Sequence, residues 1–283
     1  MARAAQISRR TPSALGLLDT HDPTTPTGVQ LMTTSATQLQ DALQVLEAEA
    51  FSNMPHLQNI CAVDLNFGCP SPDIIRMGGG PAMLKRRAKL DAIFSVLAEW
   101  RDTTSLKIKA VGAKIRLGLN AQEMEHRVYE QVVKSANSRL DYLVIHARHG
   151  QQRSRDPPVW EAIGRAKQCA NIPIIGNGNV VTSADVQEIH RISGCDGVMI
   201  GRAAINNPWV FRELTGVEQS GYWPDAHKVD DAVRNFNSWV DKCGLENRCI
   251  TFHDQNFRRI RHTAATGEHV APPIPKNIHM GPK

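Results

Sequence analysis

Six short runs of apolar and β-branched residues recur along the chain at 28–32, 62–66, 112–117, 141–146, 172–176 and 196–201, their starts 34, 50, 29, 31 and 24 residues apart. Amphipathic stretches of helix-forming composition stand between them at 36–50, 90–101, 121–136, 159–169 and 183–192. Parallel strands need a crossover of a dozen residues or more, so this rhythm prescribes βα units around a parallel sheet. Six such units in a row favour an α/β fold of the TIM type, a β/α barrel, over an open doubly wound sheet.

The rhythm stops after Asn206-Asn207-Pro208-Trp209. Residues 1–216 are therefore read as the barrel and 217–269 as a small helical segment, with helices over 226–243 and near 252–261. The Pro-rich stretch 270–283 is expected to be a disordered tail.

With 41% hydrophobic and 22% charged residues, and apolar runs of strand length only, the sequence excludes a membrane-spanning helix and no membrane partner is expected. Lys plus Arg number 33 against 28 Asp plus Glu, a net charge of +5 that suits a polyanionic partner without requiring one. The six cysteines, at 61, 69, 169, 195, 243 and 249, form no CxxC pair, so neither a metal set nor a disulfide framework is expected. Free thiols fit a reducing, cytoplasmic setting. The basic opening, with Arg3, Arg9 and Arg10, has the composition of a transit peptide and leaves a mitochondrial address open.

Barrel chemistry sits at the C-terminal ends of the strands, and here those ends are polar. Asn66 and Cys69 end the 62–66 run; Lys114 and Arg116 alternate on 112–117 and so share one face; His146 and Arg148 follow 141–146; Asn177-Gly178-Asn179 and Gly201-Arg202 close the last two. A lysine inside a barrel is costly unless an anion meets it, and glycines in two late loops let backbone N–H groups approach a phosphate. Together they describe a phosphate-bearing cofactor across the barrel mouth. The alternatives are a plain turn at Asn177-Gly178, a hydrogen-bonded core histidine at 146 and a structural ion pair at Lys114.

Cys69 stands at the mouth of a strand, between Gly68 and Pro70, ahead of the glycine run 78–80. A free thiol, with a pKa of ~8.5, is mostly protonated at neutral pH and on a rigid turn can be held ready to donate.

The stretch "DLNFGCPSPDIIRMGGGPAML", followed in order by "AKIRLG", "VIHARHGQQRS", "IIGNGNV" and "DGVMIGRAAINNPWVF", closely resembles the tRNA-dihydrouridine synthase family from about residue 8 to 214. The resemblance implies a flavin-binding β/α barrel with a helical C-terminal region that holds tRNA, acting on the C5–C6 double bond of uridine with FMN as cofactor and NADPH as reductant. It implies that Cys69 is the general acid at C5 and that Asn66 lies beside flavin and uracil. Gln30, Lys114 and His146 would contact the isoalloxazine, and Asn177, Gly178, Asn179, Gly201 and Arg202 the FMN phosphate. Arg116 and Arg148 would lie near the base or its phosphates. The rim arginines Arg148, Arg153 and Arg155, with the cluster Arg258, Arg259 and Arg261, would meet tRNA phosphates, and a monomer is expected.

The family's opening strand, roughly Ala-Pro-Met-x-x-Val-Thr-Asp, has no counterpart before Gly28, and residues 1–27 resemble the helix and loop that follow its second strand. The barrel is therefore expected to lack its first two strands. Position 179 is Asn where the family commonly has Asp or Gly. Two other functions stay open: a flavin-dependent reductase of a small pyrimidine-like substrate, as in the dihydroorotate dehydrogenases with their similar Asn-x-Ser/Gly-Cys-Pro segment, and a non-catalytic RNA-binding remnant.

Overall fold

The computed structural model describes residues 2–18, 26–218, 222–243 and 247–267, with the side chains of 239–254 excepted; the tail expected at 270–283 lies outside them. The chain divides into two compact units, residues 1–180 with 184–199, and residues 181–183 with 200–283. Among the described residues no helix is long and apolar enough to cross a membrane.

Seven strands build the first unit: β1 (Ala2–Arg3), β2 (Thr27–Met32), β3 (Ile60–Phe67), β4 (Ala110–Arg116), β5 (Tyr142–His146), β6 (Ile174–Asn177) and β7 (Gly197–Met199). All neighbours are parallel and their order in the sheet is their order in the chain, which is the winding of a β/α barrel. The sequence shows six of them. β1 pairs Ala2 with Leu31 and Arg3 with Met32, and two residues are too few to display a period-two pattern.

The connecting helices are α1 (Ala36–Ala50), α2 (Arg87–Thr103), α3 (Val128–Ala136), α4 (Trp160–Gln168) and α5 (Ser183–Ser193). Leu39, Leu43 and Leu46 of α1 and Leu90, Ile93, Phe94 and Leu97 of α2 recur at helical spacing and are buried. Phe94 meets Phe67 of β3 edge to face, with ring centroids 6.1 Å apart. The helix expected over 121–136 is instead two, Ala121–Glu125 and α3, separated by Arg127 in a left-handed conformation (φ 52°).

Register divides the sheet into two faces of different chemistry. Val63, Leu65, Phe67, Val111, Ala113, Ile115, Leu143, Ile145 and Ile174 all have no exposure and form the apolar face. Ile115 lies among them, so its neighbours Lys114 and Arg116 point the other way. The pairings Gln30↔Asp64, Asn66↔Lys114, Arg116↔His146 and His146↔Asn177 place all seven of these side chains on that opposite face.

The second unit contains the short helices Arg202–Asn206 and Val210–Leu214, then α6 (Ala226–Cys243) and α7 (Asn247–Thr266). Phe236 and Phe257 pack with centroids 5.4 Å apart, and Val229 and Ile260 are fully buried.

Candidate functional site

The inner face of a β/α barrel is ordinarily filled by layers of branched apolar side chains. Here it carries Gln30, Asp64, Asn66, Lys114, Arg116, Tyr142, His146 and Asn177, of which Asp64 and Asn177 are buried and the others half-buried, and withdrawing so many polar groups from water is costly unless they bond to one another or to a ligand.

At its centre is Asp64, 8% exposed. Burial pushes its carboxyl up from 3.8 to about 6, against the opposing pull of the Gln30 hydrogen bond, the Lys114 charge and the Tyr142 hydroxyl. Burial pushes Lys114 down from 10.5 to about 8; the Arg116 charge acts in the same sense and Asp64 against it. Among the described residues Lys114 makes no ion pair, and Asp64 is the acid whose charge acts on this ammonium of the inner face. The ring of Tyr142 lies over Gly112, where a Cβ would stand 2.3 Å from it.

At the strand ends, the side-chain oxygen of Asn66 accepts from the backbone N–H groups of Gly68 and Cys69, both at 3.0 Å. Its amide nitrogen donates to Gln30 Oε1 (2.7 Å), and Gln30 Nε2 donates to Asp64 Oδ2 (2.5 Å). From the other side Arg116 Nε donates to the Gly68 carbonyl (2.9 Å) and Nη1 to the His149 carbonyl (3.0 Å). The Cys69 thiol is half-buried and acts electrostatically on the Arg116 guanidinium. Gly80, at φ 55°, passes so close that a Cβ would stand 2.2 Å from the Cys69 carbonyl oxygen, which explains the glycine there. The loops after β4 and β5 are joined by Gly150 N–H to Gly118 O (2.9 Å) and Gln151 N–H to Leu119 O (3.0 Å).

The structure thus brings Gln30, Asn66, Lys114 and Arg116 to one face of the sheet, with Cys69 in the turn after β3 that Asn66 holds and His146 and Asn177 on the neighbouring strands. Asn177 Nδ2 donates to the Met199 carbonyl (2.8 Å), and the Gly178 carbonyl accepts from Trp160 Nε1 (2.9 Å). Gly178 and Asn179 both have positive φ, 132° and 56°, so the backbone makes a turn that few side chains tolerate. Gly201 and Arg202 belong to the second unit, where Gly201 precedes the helix Arg202–Asn206 and both residues are exposed.

Two arginines, Arg148 and Arg259, are buried and so stand differently from their expected place at a tRNA surface. Arg148 is 1% exposed, its Nε donating to the Asp156 carbonyl (2.7 Å) and Nη2 to the Ser154 carbonyl (3.2 Å), so it lies beneath the loop it holds. Arg259, 8% exposed, donates to Asn256 Oδ1 (3.0 Å) and to the Asn206 carbonyl within the second unit. Arg261 is exposed and pairs with Asp230 at 3.0 Å. Arg153, Arg155 and Arg258 are exposed, as are Arg86, Arg87 and Lys89 at the start of α2. Sequence reasoning did not single out Asp64 or Tyr142; the signal for Asp64 was a lone acid in the middle of an apolar strand.

The sequence model of the family described as "Dihydrouridine synthase (Dus)" matches residues 1–262. A "Probable tRNA-dihydrouridine synthase" of Aquifex aeolicus is 36% identical over 152 residues, 54% of this chain and 46% of that protein. One of Helicobacter pylori is 28% identical over 233 residues, covering 82% of this chain and 66% of its own length. A "tRNA-dihydrouridine(16) synthase" of Escherichia coli is 35% identical over 164 residues, 58% of this chain and 50% of that protein. The matches therefore span about half to two-thirds of these relatives.

Proposed function

Since the chain belongs to the dihydrouridine synthase family, we propose that it reduces uridine in tRNA to 5,6-dihydrouridine, with FMN as cofactor and NADPH as reductant. The observation that carries this reading is the placement of Cys69, a thiol fixed through its own backbone at the end of a strand whose inner face is polar.

The residues present fit FMN. Lys114 is an ammonium on the inner face with no ion pair among the described residues, and it suits the polar edge of an electron-rich ring beside Gln30, Asn66 and His146. The turn at Asn177, Gly178 and Asn179, with two positive φ values, suits a phosphate that needs close backbone N–H groups. When bound, the cofactor would supply hydride to C6 of the uracil.

Cys69 Sγ would hold the proton destined for C5, and the Arg116 guanidinium beside it would steady the sulfur once that proton has left. Asn66 fixes where the turn carries the thiol. Exposed Arg153 and Arg155, in the loop after β5, would meet tRNA phosphates, a function a small pyrimidine would not need. The target atoms are stacked within folded RNA, so the base would be extruded toward the sheet.

The test is incubation of the purified chain with FMN, NADPH and unmodified tRNA transcript, followed by nucleoside analysis. Dihydrouridine in the tRNA is expected. Reduction of free uracil or orotate, with the tRNA untouched, would move the substrate to a small pyrimidine.

A further inference from the structure

Asp64 is a buried acid in an apolar strand, and the proton transfer proposed above does not touch it. A carboxylate only accepts hydrogen bonds, whereas a Gln or Asn amide has one donating and one accepting end. Gln30 therefore turns its NH2 to Asp64 Oδ2 (2.5 Å), which leaves its Oε1 toward Asn66. Asn66 answers with its own NH2 (2.7 Å) and so presents its oxygen to the N–H groups of Gly68 and Cys69. With either amide reversed, donors would face donors. The polarity set at Asp64 thus passes through two side chains to the backbone of Cys69.

Resting on the reading of Cys69 as proton donor, we infer that Asp64 is a positioning residue, whose acceptor-only carboxylate orients Gln30 and Asn66 and through them holds the Cys69 turn. Burying a charge here is costly, and Lys114 and Tyr142 facing it offset that cost only in part, which fits a group kept for more than packing. Arg116 grips the same turn through the Gly68 carbonyl and is independent of the relay.

The experiment compares the parent with Asp64→Leu, Asp64→Asn and Gln30→Leu by two readouts. The first is the rate at which Cys69 is alkylated, followed peptide by peptide by mass spectrometry on the chain without cofactor or tRNA. The second is kcat and KM for tRNA reduction. Asp64→Leu and Gln30→Leu should loosen the turn, with alkylation faster by roughly 3- to 10-fold, the equilibrium weight of one hydrogen bond, and kcat lower at unchanged KM. Asp64→Asn still offers Gln30 an acceptor and should stay within about 3-fold of the parent on both. Far-UV circular dichroism checks that each variant folds, and a misfolded leucine variant leaves the decision to Gln30→Leu. Alkylation and kcat unmoved in the folded leucine variants would overturn the inference, as would an Asp64→Asn as impaired as Asp64→Leu, which would assign the effect to charge. A parent that reduces no tRNA would remove the proposed function, and the alkylation rates would still decide the role of Asp64.

Discussion

The thiol of Cys69 is placed by groups other than itself: Asn66 holds its backbone N–H, Arg116 holds the carbonyl of the residue before it, and Gly80 packs against its own carbonyl. Such a site carries a cost in stability, and Asp64 shows how large. With its folded pKa raised from 3.8 to about 6, the native state binds the proton more tightly than the unfolded chain. The stability it contributes is complete below about pH 4 and is lost as pH rises through 6. The difference amounts to about 3 kcal/mol. Asp64→Asn should therefore be more stable than the parent by up to that amount at pH 7, with the gap closing near pH 4, as followed by urea denaturation across pH. A constant gap would contradict the burial argument. At this scale the sequence was partly legible. Asn66, Cys69 and Lys114 stood out because strand ends and alternation are visible in one dimension. Arg148 did not betray its burial, because carbonyl partners six and eight residues away depend on how the loop curls back.

Elements are fixed by where side chains cannot fit as much as by where they pack. Gly112 leaves room for the Tyr142 ring that faces Asp64 from β5, and Gly112→Ala should force that ring away. A cost of about 1–3 kcal/mol is expected from such overpacking, measurable as a shift in the denaturation midpoint. Phe94→Ala removes the α2 side chain that meets Phe67 under β3 and should cost about 3–5 kcal/mol, while leaving the polar face chemically intact. Six strands and five helical stretches could be read from the sequence because burial imposes periods of two and 3.6. β1 escaped because two residues carry no period. The break at Arg127 escaped because no glycine or proline marks it.

On the scale of the whole molecule the charge asymmetry gains a location. The net charge of +5 says little alone, but Arg153 and Arg155 are exposed in the loop after β5 and Arg86, Arg87 and Lys89 at the start of α2, both following C-terminal ends of strands. Replacing Arg153 and Arg155 with alanine should weaken tRNA binding to a similar degree across tRNA sequences and lower the log–log salt slope by roughly one per arginine, without altering flavin content. An affinity indifferent to salt and to both substitutions would exclude this surface.

The central claim is that Cys69 delivers a proton to a uridine of tRNA. It is tested most directly by single-turnover reduction of unmodified tRNA transcript, with FMN and NADPH present, by the parent and by Cys69→Ala. The account predicts that the variant retains its flavin and loses roughly 10²-fold or more in rate, the loss of a general acid. Equal rates in the two proteins would contradict it.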